Sequence, residues 1–205
     1  MRGIWSGLGG IITVMAMILS FIFIGDGMPT EEPSELASYL DDFEGLWVHA
    51  LIVVAAAGLV WFATALHRVT GSLVAVGSLC GAAALLLICD VILLAPTEAA
   101  QLDAFTPDVS SLEVWDTAAY FALTNAHVLV GFAAIAFGAE VLRQSLPAWL
   151  GWFSVVTGVI GLASAAFFPM LVLWLWLVVT GAVLMARPVE VVERGTRRAQ
   201  ERMTA

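Results

Sequence analysis

The sequence predicts an all-helical membrane protein, a bundle of six transmembrane helices with both termini on the cytoplasmic side. The composition, the length of the apolar runs and the placement of the basic residues each point to it. Of the 205 residues, 61% are hydrophobic and 12% are charged, whereas a water-soluble domain carries about 25% charged residues. This composition excludes a soluble globular domain, and the formal net charge of −9 argues against nucleic acid as a partner. The expected surrounding is the lipid bilayer.

The apolar runs have the length that a membrane span requires. About 20 residues are needed, because each rises about 1.5 Å through a hydrocarbon core about 30 Å thick. The last apolar block, 149–186, would be about 57 Å long as a single helix, and Pro169 near its middle favours a break. We therefore predict a hairpin there. The predicted spans are residues 5–24, 46–66, 71–95, 114–142, 149–166 and 170–186, within a transmembrane domain that covers residues 1–186.

The basic residues test the number of spans independently. All eight are arginines, and with six spans every one lies at the same membrane face: Arg2, Arg68, Arg143, Arg187, Arg194, Arg197, Arg198 and Arg202. Cytoplasmic segments are enriched in Lys and Arg, so this face is the cytoplasmic one. If the last block were a single span, the Arg-rich tail, residues 187–205, would lie outside. The expected location is the cytoplasmic (inner or plasma) membrane, with the N- and C-termini inside.

The two longer loops lie outside in this topology and are acidic. Residues 26–45 hold seven carboxylates and no basic residue. Within them Leu36, Tyr39, Leu40 and Phe43 have helical spacing, which predicts a short amphipathic helix at the outer interface. The second loop, 96–111, ends in a Ser110-x-x-Glu113 capping box that predicts the start of the fourth helix.

Ionisable residues inside a span are costly and are therefore candidates for a functional site. His49 and Asp90 lie at similar depths below the outer ends of neighbouring helices, so we predict that they pair; a carboxylate beside an imidazole can relay a proton. Tyr120, Thr124 and the deeper His127 enter from the fourth helix. These five residues are the candidates for a ligand site or a proton path. The alternative is that they only hydrogen-bond the helices to one another.

The fourth helix also carries a stripe of small and polar residues at steps of three and four. Such a stripe is predicted to face the bundle interior, where membrane helices pack closely. Asn125, two residues before His127, lies on a different face. The stripe consists of Thr117, Tyr120, Thr124, His127, Gly131, Ala134 and Gly138.

The sequence indicates no catalytic residues, no metal ligands and no cofactor. The three histidines do not suit a bis-histidine haem, because His49 and His127 differ by roughly 10 Å in depth. Neither the H-E-x-x-H nor the H-x-x-E-H zinc spacing occurs. No Ser, His and Asp lie at one level beside an oxyanion donor.

One stretch resembles a known family. Residues 146–152, Leu-Pro-Ala-Trp-Leu-Gly-Trp, follow a helix that opens at Asp116 and whose last part includes Glu140-Val141-Leu142-Arg143. This ending is similar to the Leu-Pro-x-Trp-Leu-Gly-Trp stretch of six-helix membrane proteins of actinobacteria that are grouped as a domain of unknown function. The resemblance implies the fold and the membrane location, and it implies no catalytic residues. The basic residue that other members carry after the acidic segment is replaced here by Glu44-Gly45-Leu46.

Three functional hypotheses follow. The first is a non-enzymatic accessory, sensing or partner-binding component of the cytoplasmic membrane, with an unidentified membrane protein or a second copy of the chain as its partner. The alternative is a carrier for a small solute or proton that uses the polar cluster of the outer half. A weaker alternative is a haem or redox subunit.

Overall fold

The described residues of a computed structural model, 7–24, 45–101, 109–144, 146–164 and 167–186, are mostly helical. This confirms the all-helical class for that part of the chain. The predicted amphipathic helix of the first loop and the tail 187–205 lie outside it. The helices are α1 (Leu8–Ile24), α2 (Gly45–Thr70), α3 (Leu73–Gln101), α4 (Val109–Arg143), α5 (Ala148–Gly161) and α6 (Phe167–Ala186).

Four of these helices are long and apolar enough to cross a membrane. The qualifying segments are Gly45–Thr70, Leu73–Pro96, Ser111–Arg143 and Phe168–Ala186. The prediction of a membrane protein is confirmed at this level. The other two helices are shorter, with 17 residues in α1 and 14 in α5. At about 1.5 Å per residue, α5 is about 21 Å long, less than the thickness of the hydrocarbon core.

The helices pack in a ring that follows the order of the chain. Each contacts the next, and α6 closes the ring against α1. Pairs of contacts show that α1 runs antiparallel to both neighbours. Gly7 meets Gly181 of α6 and Gly10 meets Leu177; Gly9 meets Phe62 of α2, and the Thr13 hydroxyl donates to the Ala55 carbonyl. The ends of α2 and α4 lie at one end of the bundle, since the Gln144 side chain donates a 3.2 Å hydrogen bond to the Thr70 carbonyl.

The two ends of the bundle differ in charge. We call the end with Arg68 and Arg143 the arginine end. We call the opposite end the acidic end, after Glu113 and Asp116 near the start of α4. The predicted placement of these two arginines at one face is thus present in the bundle.

The last apolar block is divided, as predicted, but earlier in the chain than Pro169 indicates. Helix α5 ends at Gly161, and the turn continues through Ser164. Pro169 is the third residue of α6, a position where the missing N–H has no partner within the helix in any case. The predicted span 149–166 is therefore too long.

Helix residues occupy part of the second predicted loop, 96–111. Helix α3 continues through Pro96 to Gln101, so the start of a loop at Pro96 was wrong. A proline removes one backbone hydrogen bond of a helix but does not always end it. Helix α4 begins at Val109, one residue before the predicted capping box.

Glycine pairs bring α4 and α5 into close contact. A Cβ atom on Gly158 would lie 2.6 Å from the Gly131 carbonyl oxygen, and one on Gly138 would lie 2.6 Å from the Gly151 oxygen. The two pairs lie about two helical turns apart. Backbones can approach this closely only where neither residue carries a side chain.

The core of the bundle centres on Trp176 of α6. Its side chain is fully buried, and its ring meets Phe62 of α2 and Phe137 of α4 edge-on, with ring centroids 5.7 and 6.2 Å away. The indole N–H donates a 2.8 Å hydrogen bond to the Ser154 hydroxyl of α5. One side chain thus joins four helices.

Candidate functional site

A histidine and an aspartate join α2 to α3 near the acidic end. His49 Nδ1 lies 2.5 Å from Asp90 Oδ2, so the structure pairs the two residues as their depths predict. The Asp90 side chain is 1% exposed, whereas that of His49 is 49% exposed. A buried carboxylate therefore contacts an imidazole that reaches the surface of the bundle.

The second oxygen of Asp90 is buried without a bond. Oδ1 has no hydrogen-bond partner among the described residues, although an ionised carboxylate offers about four acceptor positions. A buried polar atom without a partner is costly. Oδ1 of Asp90 can therefore take up a proton or accept a hydrogen bond from a further donor. The half-exposed imidazole of His49 connects the carboxylate to the surface of the bundle.

Two further candidates, Thr124 and Tyr120, lie on α4. The Thr124 hydroxyl donates to the Phe121 carbonyl of its own helix at 3.1 Å. The Tyr120 side chain is exposed, and its ring meets that of Phe121 edge-on with the centroids 6.4 Å apart.

The small and polar stripe of α4 faces the interior over only part of its length. Its members from Thr124 to Gly138 are buried, but Thr117 and Tyr120 are exposed. The prediction was wrong for these two. Steps of three and four average 3.5 residues, whereas a straight helix has about 3.6 per turn, so the stripe drifts by about 20° in each heptad. This drift turns Tyr120 out of the interior. Thr117 is exposed for a different reason, since all residues from 113 to 117 are exposed and α4 is uncovered on every side there.

His127 is bonded on both ring nitrogens. Nδ1 lies 2.8 Å from the Leu123 carbonyl oxygen, and the Trp174 indole N–H of α6 lies 2.9 Å from Nε2. A carbonyl oxygen only accepts and an indole N–H only donates. The ring is therefore neutral, with its proton on Nδ1, and it joins α4 to α6.

A small cavity lies beside His127. It measures about 20 Å³, room for about one water molecule. Its lining is mostly apolar and comes from α1, α2, α3, α4 and α6; His127 and Trp174 form its polar wall together with Thr13. Neither His49 nor Asp90 lines it. The pair and the deeper histidine are therefore separate sites.

The sequence analysis missed the role of Trp174. Its place in the middle of a span was a usable signal, because a buried indole N–H needs an acceptor. Candidate acceptors at matching depth included His127. What the sequence does not show is that α6 lies beside α4 at this depth.

The described residues contain no group of three or more His, Cys, Asp or Glu side chains placed to hold a metal ion. Cys80 is exposed and Cys89 is buried. The chemistry of the candidate site is thus that of one carboxylate and one imidazole.

The bonds of His127 predict a spectroscopic result. In ¹⁵N-histidine-labelled protein at neutral pH, we expect the signal of His127 to show the neutral ring protonated at Nδ1. In Trp174→Phe the Nε2 signal should shift, because its donor is lost, while the tautomer persists through the Leu123 bond. A signal from an imidazolium, or from a ring protonated at Nε2, would contradict this geometry.

Fold and site together define an all-helical protein with helices able to cross a membrane and a buried carboxylate–imidazole pair at one end. Comparisons with protein families, with curated proteins and with solved structures gave no match. The resemblance carried by residues 146–152 therefore stays a prediction.

Proposed function

We propose that the chain is a six-span protein of the cytoplasmic membrane with both termini inside, and that it is a non-enzymatic accessory component that senses protons on the outer side. The topology is supported by the antiparallel ring of six helices within the described residues, which includes two shorter ones. It is also supported by the position of Arg68 and Arg143 at one end, the cytoplasmic one in this topology.

The observation that carries the sensing function is the environment of Asp90. One carboxylate oxygen is bonded to a half-exposed imidazole and the other has no partner among the described residues. A buried charge that loses its partner destabilises the packing around it. The packing of α2 on α3 at this end therefore depends on the protonation state of the pair, which exchanges protons with the outside through His49.

The charges around the pair fit this function. The charged side chains described at the start of α4 are Glu113 and Asp116, both exposed, and the described arginines lie at the opposite end. His49 is therefore the basic partner that the described residues offer to the Asp90 carboxylate.

A pair of spin labels across α2 and α3 tests the sensor. We place labels at Leu46 and Val91, both exposed near the acidic end, in a Cys80→Ser background. The distance between them should change with pH, and Asp90→Asn should abolish the change. Labels at Thr64 and Val74, exposed positions toward the arginine end, should report no change.

Two results would contradict the sensor. An unchanged distance in the otherwise native protein would show that the pair does not control the packing at this end. A change that persists in Asp90→Asn would assign the response to another group.

The alternative is a proton or small-solute carrier, and the specific observation in its favour is the cavity beside His127, which lies deeper than the pair. In proteoliposomes with an internal pH dye and an imposed gradient, a carrier gives a proton flux that Asp90→Asn abolishes while folding is retained. The sensor gives the same trace as empty liposomes. The bonds on both ring nitrogens of His127 favour the sensor. For the haem alternative, the purified protein would have to show a Soret band.

A further inference from the structure

Helix α4 carries a carboxamide on the face that points away from the bundle. Asn125 is exposed and lies near the middle of the segment Ser111–Arg143. Its side-chain nitrogen donates a 2.8 Å hydrogen bond to the Phe121 carbonyl. This is the hydrogen bond that the Asn125 side chain makes with the described residues. One N–H and the amide oxygen remain available. Hydrocarbon offers no partner for them, so a polar group at this depth favours contact with another membrane helix.

The residues around Asn125 have the spacing of a helix–helix seam. They alternate at steps of four and three, the repeat by which two helices pack with a left-handed crossing. Phe121 and Phe132 are exposed on either side of Asn125, and the remaining members are exposed or half-buried. We call this set the Asn125 seam: Val114, Ala118, Phe121, Asn125, Val128 and Phe132.

We propose that the Asn125 seam packs against the same seam of a second copy of this chain, with the two α4 helices parallel. Copies inserted in one membrane share one orientation, so a two-fold axis along the membrane normal brings each seam residue to its own equivalent at equal depth. A carboxamide is both donor and acceptor and is therefore complementary to itself. A single polar residue in an apolar seam also sets the register and the number of helices.

This inference rests on α4 crossing the membrane and not on the sensing function of His49 and Asp90. The two can fail separately, because the seam lies on the outer face of α4 and the pair joins α2 to α3. The dimer places Phe121 next to its own equivalent, whereas the middle of α2 has no place in the interface.

Cysteine cross-linking in native membranes tests the contact. In a Cys80→Ser, Cys89→Ala background, Phe121→Cys keeps Asn125 and should give a disulfide-linked product of twice the mass. Ala57→Cys is the matched control, since Ala57 is exposed near the middle of α2, and it should stay monomeric. Equal cross-linking at both positions, or none at position 121, would overturn the proposal, as would a cross-link to a different protein.

The role of the carboxamide is measured by energy transfer between two differently labelled copies in vesicles of defined lipid. Asn125→Leu should raise the dissociation constant by about 3- to 30-fold. Asn125→Gln keeps a carboxamide and should weaken the dimer less, and Ala57→Leu should leave it unchanged. Unfolding curves of each variant show that the fold is retained. A dissociation constant unaffected by Asn125→Leu would show that the seam is not held by this residue.

Discussion

Trp176→Ala is expected to lower the free energy of unfolding by about 3–5 kcal/mol. The side chain is fully buried and packs edge-on against Phe62 and Phe137. Its removal leaves a cavity among four helices, and a rigid glycine-packed bundle cannot close it. The loss is one of packing contacts, because lipid chains drive apolar side chains together less than water does.

The measurement is an unfolding curve in mixed micelles, followed by circular dichroism. Trp152→Ala is the matched control, since this tryptophan is 61% exposed on α5 and its loss should change stability by no more than about 0.5 kcal/mol. Trp176→Phe keeps an aromatic ring and should cost less than alanine. It removes the indole bond to Ser154, but the Ser154 hydroxyl still donates to the Leu150 carbonyl. Equal losses for Trp176→Ala and Trp152→Ala would contradict the central place of Trp176.

Gly158→Ala should have the second largest effect, a loss of about 1–3 kcal/mol. The added Cβ would lie 2.6 Å from the Gly131 carbonyl oxygen and 2.9 Å from the Ile135 backbone nitrogen. Both are backbone atoms of α4 and move only if the whole helix moves. α5 must therefore shift away from α4, which also loosens the Gly138–Gly151 contact.

Gly77→Ala is the control for this substitution. Gly77 also lies in a helix, but nothing lies within 4 Å of the place that its Cβ would take. Alanine should therefore raise stability by up to about 1 kcal/mol, because glycine is the poorer helix former. The pair is measured by unfolding as above. A Gly158→Ala protein as stable as Gly77→Ala would mean that α4 and α5 are not held by their glycine contact.

The parts of the candidate site differ in how far the sequence predicts them. His49 and Asp90 lie on consecutive helices joined by a short link, so counting residues from the membrane surface is enough to bring them together. His127 and Trp174 are 47 positions apart on helices that are not consecutive. Their contact depends on how the ring of six described helices closes, which places α6 beside α4. The exposure of Tyr120 depends on the drift around α4 of a stripe that repeats every 3.5 residues. Steps of three and four in the sequence do not reveal this drift.

By itself, the sequence determined that this protein is helical and belongs in a membrane. It also determined that successive helices run in opposite directions, which puts Arg68 and Arg143 at one end. Hydrophobicity, span length and charge placement can each be evaluated for one segment without knowing its neighbours. The tertiary structure decided where α3 and α5 end, which side of α4 faces inward, and that His127 is bonded on both nitrogens. Those features depend on contacts between distant helices. A glycine, a tryptophan or an asparagine takes its role from the helix that packs against it.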